Sequence, residues 1–184
     1  MTMFDELVCR ACGCTDDRGC PGGCWWVHDD VCSQCATSVA LIACSKRKST
    51  GVQSQTPEEL YQGSLLQAQL AYARQALRLP DEHIFILSAQ YGLVPLSQEI
   101  RPYELMLSSL SASDREMWGF RATNQLVARI PGVVEAYLMA GRVYRTAVMP
   151  ELENWGIEIH VPHPEAYGIG RQLAWYKAMV TCPA

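Results

Sequence analysis

Cysteines are the residues in this chain whose spacing points most clearly to chemistry. Seven of the nine cysteines lie between positions 9 and 35. The pairs Cys9/Cys12 and Cys32/Cys35 are separated by 19 residues. This spacing is typical of tetrahedral zinc sites, because each Cys-x-x-Cys turn directs two thiolates at one ion. The sequence therefore predicts a structural zinc site in a small cysteine-rich module.

Further candidate ligands lie between the two pairs. Cys14, Cys20 and Cys24 are followed four residues later by His28, and three thiolates with one imidazole can hold a second zinc ion. Alternatively, His28 is a solvated loop residue and the inner thiols are spare or share the first metal. An iron–sulfur cluster is a further alternative, because it also uses thiolate ligands.

Composition narrows the class of protein. The 184 residues allow one ordinary domain plus a small module, and 49% apolar with 18% charged residues indicates a globular chain. No apolar run approaches the roughly 20 residues of a membrane span. The first residues lack the basic and apolar regions of a signal peptide. We therefore expect a cytoplasmic protein in a reducing compartment, where clustered cysteines bind metal rather than form disulfides.

The charge distribution limits where nucleic acid can bind. The net charge is −4. Residues 1–35 hold six acidic and two basic side chains, whereas the remainder is balanced at 13 of each. The one dense basic run is Lys46-Arg47-Lys48. Any contact with nucleic acid is therefore expected to be local.

After the module, from Ser38 onward, the sequence predicts an α/β domain. Short apolar runs bounded by turn residues are typical of strands buried on both faces, and four occur, over residues 39–43, 84–87, 134–139 and 157–161. Helical patterns lie between and after them, over residues 56–77, 113–130, 144–152 and 164–180. This alternation predicts a four-stranded, mainly parallel sheet with helices on both faces. We expect the zinc-binding module over residues 1–37 and the α/β domain over 38–184.

The carboxyl ends of parallel strands share one edge of a sheet, where ligands bind in open α/β folds. The residues expected at this edge are Cys44, Ser45, Lys46 and Lys48; Ser88, Gln90, Tyr91 and Gly92; Gly141, Arg142 and Arg145; and His163 with the segment from Tyr167 to Gln172. Glycines at the start of the last helix would leave backbone N–H groups open to an anion. A phosphate, a carboxylate or a nucleobase edge would suit such a site.

The candidate residues have functional and structural interpretations. We predict Ser45, Lys46, Ser88, Tyr91 and His163 as catalytic, and Cys44, Lys48, Gln90, Gly92, Tyr103, Arg142, Gly168, Gly170 and Arg171 as ligand-binding. His163 is the candidate acid–base, the lysines are candidate phosphate contacts, and Tyr91 could stack on a ring. The alternatives are a buried packing role for Cys44, a solvated turn for the lysines and a loop cap for Ser88. The motifs of serine hydrolases, phosphate-loop enzymes and zinc proteases are absent from the sequence.

Two segments resemble the YaaA family of peroxide-stress proteins, residues 87–95 (LSAQYGLVP) and 100–107 (IRPYELML). The chain is also similar to related bacterial and phage proteins that combine an Ala-Cys-Ser-Lys-x-Lys opening, here residues 43–48, with a closing Gly-Ile-Gly-x-x-Leu-Ala-Trp, here residues 168–175. The resemblance covers about residues 40–178 and implies DNA binding. A weaker resemblance of residues 44–48 to the base-modifying domain of archaeosine synthase implies a sheet like that of uracil-DNA glycosylases, with strand order 2-1-3-4. The front end resembles zinc modules fused to phage proteins.

These observations lead to one principal hypothesis and two alternatives. We expect a zinc-containing phage or bacterial protein that recognises DNA or a modified nucleobase at the sheet edge, as a base-modifying or glycosylase-like enzyme. The first alternative is a non-catalytic accessory protein that binds DNA or a host or phage protein through its zinc module. Within that module, the Trp25-Trp26 pair is either a base-stacking surface or the core of the module. The second alternative is a small-nucleotide-binding enzyme. No membrane partner is expected.

Overall fold

The computed structural model describes residues 6–49, 53–163 and 168–181. The predictions on Tyr167 and on the first predicted turn of the last helix lie outside these residues, as does Cys182. The strands are β1 (Trp26–His28), β2 (Val31–Cys32), β3 (Thr37–Ala43), β4 (Ile84–Ser88), β5 (Gly92–Pro95), β6 (Val133–Met139) and β7 (Glu158–His160). The helices are α1 (Pro57–Leu60), α2 (Ser64–Gln75), α3 (Ala112–Arg129), α4 (Arg142–Asn154) and α5 (Ile169–Thr181).

The main sheet has five strands in the order β5-β4-β3-β6-β7. Strand β3 pairs in parallel with β4 and β6, and β6 pairs in parallel with β7. The four predicted runs are therefore strands in the order 2-1-3-4 implied by the resemblance. The predicted number of strands is wrong, because β5 adds an antiparallel edge to β4. This strand has only four residues and follows a three-residue turn, so it shows too little periodicity to be recognised.

Helices cover both faces of the sheet, because alternate strand residues point to opposite sides. Leu41, Phe85 and Leu87 pack towards α3 and α4 around Trp118. Their neighbours Ile42 and Ile86 pack towards α2 and α5 in a second cluster that includes Leu70 and Tyr176. The result is a three-layer α/β sandwich with a continuous core on each side of the sheet.

The first predicted helix is interrupted. Thr56 caps α1 as expected, with its N–H donating to the Glu59 carboxylate at 2.9 Å. The chain then becomes extended at Tyr61, whose side chain is fully buried. A Cβ on Gly63 would lie 2.7 Å from the Ser45 Cβ, so the backbone approaches the end of β3 closely here. Burial of Tyr61 and this approach outweigh the helical pattern, and α2 starts anew at Ser64.

The cysteine-rich module docks on the amino-terminal edge of the sheet. The Arg10 guanidinium donates to the carbonyls of Pro131 and Val133, both at 2.6 Å, and pairs with Asp30 at 2.6 Å. The Gly132 carbonyl accepts the Thr37 N–H at 2.8 Å. These contacts join the module to the loop that enters β6. The module therefore lies at the sheet edge opposite the carboxyl ends of the parallel strands.

No helix within the described parts of the chain combines the length and the hydropathy needed to cross a bilayer.

Candidate functional site

A pocket of about 580 Å³ opens at the carboxyl edge of the sheet. Three separate segments build it: the end of β3, the stretch that precedes α3, and the start of α4. The residues that line it are Cys44, Ser45, Lys46, Lys48, Glu104, Leu105, Met106, Leu107, Ser108, Gly141, Arg142, Val143 and Tyr144. The predicted edge is thus a concave site, and it combines three cationic side chains with one carboxylate.

The Cys44 thiol lies within a group of hydroxyls. Its sulfur is 3.1 Å from the Tyr144 hydroxyl and accepts a hydrogen bond from the Tyr103 hydroxyl at 3.4 Å. Tyr103 in turn accepts from Ser88 Oγ at 2.8 Å and lies 3.0 Å from the Tyr61 hydroxyl. The network connects the pocket to the buried end of β4.

Burial strengthens the preference of these hydroxyls for the protonated form. Burial, reinforced by the nearby Cys44 thiol, raises the pKa of Tyr103 and of Tyr144 far above the usual tyrosine value. Burial likewise raises the pKa of Tyr61 to about 12. The tyrosines therefore act as hydrogen-bond donors, and Tyr103 and Tyr144 are both placed to donate to the Cys44 sulfur. The Lys48 ammonium lies 4.4 Å from the Tyr103 ring centroid, a cation–π contact.

The residues that follow β4 do not line this pocket. Ser88 is fully buried, and its oxygen accepts the Tyr91 N–H at 3.2 Å while donating to Tyr103. The Tyr91 ring packs edge-on against Tyr103, and its hydroxyl donates to the Arg101 carbonyl at 3.2 Å. Both residues support Tyr103 from behind, and neither lines the pocket.

Gly92 and Gln90 also lie away from the pocket. Gly92 has φ +77° and begins β5 opposite Ser88. A Cβ there would meet Gln125 Oε1 at 2.3 Å, so the hairpin itself requires a glycine at this position. Gln90 lines a neighbouring depression with Trp118 and Arg121.

The predicted contributions of the last segment are not brought to the pocket. His163 is 4% exposed, and its ring meets the Tyr176 ring edge-on at 5.8 Å within the packing beneath α5. Its burial places it in the interior, whereas the sequence suggested a ring facing the cleft. Gly168, Gly170 and Arg171 are exposed at the start of α5, and no described residue of that helix lines the pocket. Arg145, also expected here, is half-buried on α4 and is not among the lining residues.

Several site residues were missed by sequence reasoning. Tyr61 and Tyr144 lie within predicted helices and were not among the candidate site residues, yet their hydroxyls reach the Cys44 network. Residues 105–107 lie outside any regular strand or α-helix before α3 and form an apolar wall. Their signal was the YaaA-like segment over residues 100–107, which marks this stretch without indicating which side chains face a ligand.

The cysteine module contains a second candidate site. The sulfurs of Cys9, Cys12, Cys32 and Cys35 lie within 4.8 Å of one another, as the two Cys-x-x-Cys pairs predict. Gly13, with φ +72°, lets its N–H reach the Cys9 carbonyl at 2.7 Å and closes the first turn. The Cys32 N–H points to the Cys9 sulfur at 3.4 Å. These residues are placed to bind a metal ion.

A second set of sulfurs also lies within 4.8 Å, and it differs from the predicted one. It consists of Cys12, Cys14, Cys20 and Cys32. His28 belongs to neither set among the described residues. Its Nδ1 pairs with Asp30 at 2.8 Å, and its Nε2 side packs against Gly156, where a Cβ would lie 2.1 Å away. The structure therefore does not bring His28 to either sulfur set, and its ring helps to dock the module instead.

The paired tryptophans of the module have different environments. Trp26 packs against the cysteine cluster, and its Nε1–H donates to Asp16 at 2.6 Å. Trp25 is 71% exposed. The core interpretation therefore holds for Trp26, whereas Trp25 lies on the surface.

Comparison with known proteins adds one finding. A family model described as a family of unknown function, DUF6884, matches residues 39–178, which is most of the α/β domain. No curated protein and no solved structure matches the chain.

Proposed function

This chain belongs to the DUF6884 family, whose function is unknown, and we propose that its pocket recognises a nucleotide of DNA and acts on the base or its glycosidic bond. One observation carries the proposal. A pocket of about 580 Å³ combines three cationic side chains and the start of a helix with an apolar wall. That volume lies within the roughly 300–1,000 Å³ range of small-molecule sites.

The charges favour a phosphate group. Lys46, Lys48 and Arg142 line the pocket against one carboxylate, Glu104, in a chain whose net charge is −4. Helix α4 begins beside them after Gly141, which offers no side-chain cap to its first N–H groups. Helix starts and paired cations both favour anions. The local potential therefore differs in sign from that of the whole protein.

The apolar wall favours a base. Leu105, Met106 and Val143 line the same pocket as the cations. Apolar side chains of this kind can hold the faces of a nucleobase, whose polar edge then meets Ser45 or Ser108. A base inside a duplex cannot reach such a pocket, so we propose an extruded or single-stranded nucleotide as the ligand.

Cys44 is the proposed reacting group. Of the described thiols, it is the one that lines the pocket. Tyr103 and Tyr144 place hydroxyls at 3.4 Å and 3.1 Å from its sulfur, so the sulfur is held in a fixed position. Ser45 and Lys46 flank it in the chain. Ser88, Tyr91 and His163 are not part of this proposal, because they do not line the pocket.

Binding measurements test the proposal. Fluorescence anisotropy with labelled single-stranded, mismatched and fully paired DNA should show binding that is tightest for the unpaired strand. Lys46→Ala and Arg142→Ala should each weaken it about 10- to 100-fold, the loss of a charge-assisted hydrogen bond of about 1.5–3 kcal/mol. Lys177→Ala is the matched control, since this exposed lysine of α5 does not line the pocket.

Three results would contradict this proposal. They are equal affinity for all DNAs, equal losses in Lys177→Ala, and binding of free mononucleotide without any binding of DNA. The last result would establish the small-nucleotide alternative, in which the same pocket closes over a monomer.

We also propose that the module binds zinc. The support is a set of four thiols, with no carboxylate in either of the ligand groups found among the described residues. Elemental analysis of the purified full chain should find zinc. Iron with inorganic sulfide and visible absorption would show an iron–sulfur cluster instead.

A second candidate function uses the surface of the module. Trp25 is 71% exposed and Val27 on β1 is 50% exposed, and exposed aromatic residues are enriched at binding surfaces. Under this alternative, Trp25→Ala in the full chain abolishes DNA or protein binding, whereas Lys46→Ala does not. The opposite pattern favours the pocket.

A further inference from the structure

We propose that the cysteine module holds two metal ions in one cluster, with the sulfurs of Cys12 and Cys32 shared by both ions. The inference rests on metal binding by the module and is independent of what the sheet pocket binds. It replaces two separate sites with a single bridged one.

The distances in the second sulfur set match a tetrahedral ion. The sulfurs of Cys12, Cys20 and Cys32 form a triangle with sides of 3.6, 3.7 and 3.9 Å. A tetrahedral zinc ion with Zn–S bonds of about 2.3 Å requires sulfur–sulfur edges of about 3.8 Å. Cys14 completes the set within 4.8 Å. These thiols are therefore already arranged around a position for an ion.

The first sulfur set shares two members with the second. It contains Cys9 and Cys35 together with Cys12 and Cys32. Two separate four-coordinate sites need eight ligands, but the described module offers seven thiols, and the Nε2 side of His28 packs against Gly156. A thiolate sulfur has enough lone pairs to bind two ions at once. Six thiolates can thus give each of two ions four ligands when two of them are shared.

Cys24 is the thiol left outside both sets. Its sulfur lies 3.7 Å from that of Cys14 and accepts the Cys20 N–H at 3.3 Å. It therefore supports the turn that carries Cys20. The six remaining thiols lose six protons on binding two divalent ions, which leaves a cluster charge of −2.

Cadmium-113 substitution of the full chain tests the sharing directly. Two cadmium ions should bind per chain, and their two NMR signals should be split by coupling transmitted through the shared sulfurs. Two ions without mutual coupling, or one ion per chain, would overturn the proposal. A chain that binds no metal at all would instead contradict the metal module itself.

Three variants sharpen the assignment. Cys24→Ser and His28→Ala should each retain two coupled ions, because neither residue is a ligand. Cys12→Ser should lose the coupling, since it removes one shared sulfur. Loss of an ion in His28→Ala or Cys24→Ser would overturn the ligand set. If Cys12→Ser does not fold, the spectra of the unsubstituted chain and of the other two variants still show whether two coupled ions bind without Cys24 and His28.

Discussion

The cysteine module and the pocket lie at opposite edges of one sheet, and each is held in shape by a different kind of interaction. The candidate metal ligands of the module fall within residues 9–35, and the module has only short strands of its own. The pocket combines residues from three distant segments on a buried core. The module should therefore depend on its metal for order, whereas the pocket should depend on packing. A bound metal would therefore order the module, whereas the folded core orders the pocket.

The strongest test of this comparison is metal removal. Structural zinc contributes about 10–16 kcal/mol in small zinc-binding peptides, so chelation should unfold the module. Hydrogen exchange should then show lost protection in β1 and β2 but retained protection in β3, β4 and β6. If the parallel strands lose protection equally, the two regions are not separable.

The junction between the two regions gives the next largest effect. A Cβ on Gly132 would lie 2.0 Å from the Cys35 carbonyl oxygen, a backbone atom that cannot move freely. Gly132→Ala should lower the free energy of unfolding by about 1–3 kcal/mol, the usual range for overpacking, as measured by urea unfolding of the metal-loaded chain.

Gly168→Ala is the matched control for the junction. A Cβ there meets nothing within 4 Å, so its effect should stay within about 0.5 kcal/mol. If Gly132→Ala lowers the free energy of unfolding no more than Gly168→Ala does, the module is not tightly docked on the sheet.

An effect of similar size is expected in the hydroxyl network beside the pocket. Tyr103→Phe removes a hydroxyl that contacts Ser88, Tyr61 and Cys44, and leaves these groups partly unpaired. It should cost about 1–3 kcal/mol of stability without changing the metal content. Thermal unfolding and elemental analysis measure the two quantities.

Tyr91→Phe provides the comparison for this change. It removes a single hydrogen bond to the Arg101 carbonyl, so its cost should be about 1 kcal/mol or less. A loss of metal in Tyr103→Phe would contradict the independence of the two edges.

A further effect is a pH dependence of the hydroxyl network beside the pocket. The pKa of Tyr61 is raised by burial to about 12 in the folded chain, from an ordinary value of 10. A raised folded-state pKa contributes stability that is fully present below pH 10 and is lost as the pH rises to about 12, because the unfolded tyrosine ionises first. The loss amounts to about 1.4 kcal/mol per pH unit for each such group.

Alkaline unfolding monitored by tyrosinate absorbance measures this dependence. Tyr61→Phe should make the loss of stability above pH 10 shallower than in the unsubstituted chain. An unchanged slope would show that Tyr61 ionises as freely when folded as when unfolded.

Sequence reasoning succeeded where the pattern is local or strongly apolar. The runs that became β3, β4, β6 and β7 were recognised because strands buried on both faces are continuously apolar. The start of α3 was also close, because the helix begins at Ala112 with Ser111 as its cap, one residue before the expected start at 113. Strand β5 and the break at Tyr61 were missed, because both depend on contacts with distant residues such as Gln125 and Ser45.

For the candidate site, the sequence indicated the correct sheet edge but not the facing side chains. Cys44, Lys46 and Arg142 line the pocket as expected. Ser88 points into the network behind the pocket, and His163 is buried beside Tyr176. A residue that follows a strand can point towards either layer of helices, and the packing of those layers sets its direction.

The sequence by itself determined the candidate metal-binding module, because each Cys-x-x-Cys turn brings two thiols close together through the geometry of a short chain segment. The sequence also determined the parallel sheet, since strands buried on both faces are continuous apolar runs. Only the tertiary structure decided that Cys12 and Cys32 belong to two sulfur sets and that His28 belongs to neither. It also decided which polar residues meet in the pocket. Such juxtapositions depend on contacts between residues far apart in the chain, and these form only when the core packs.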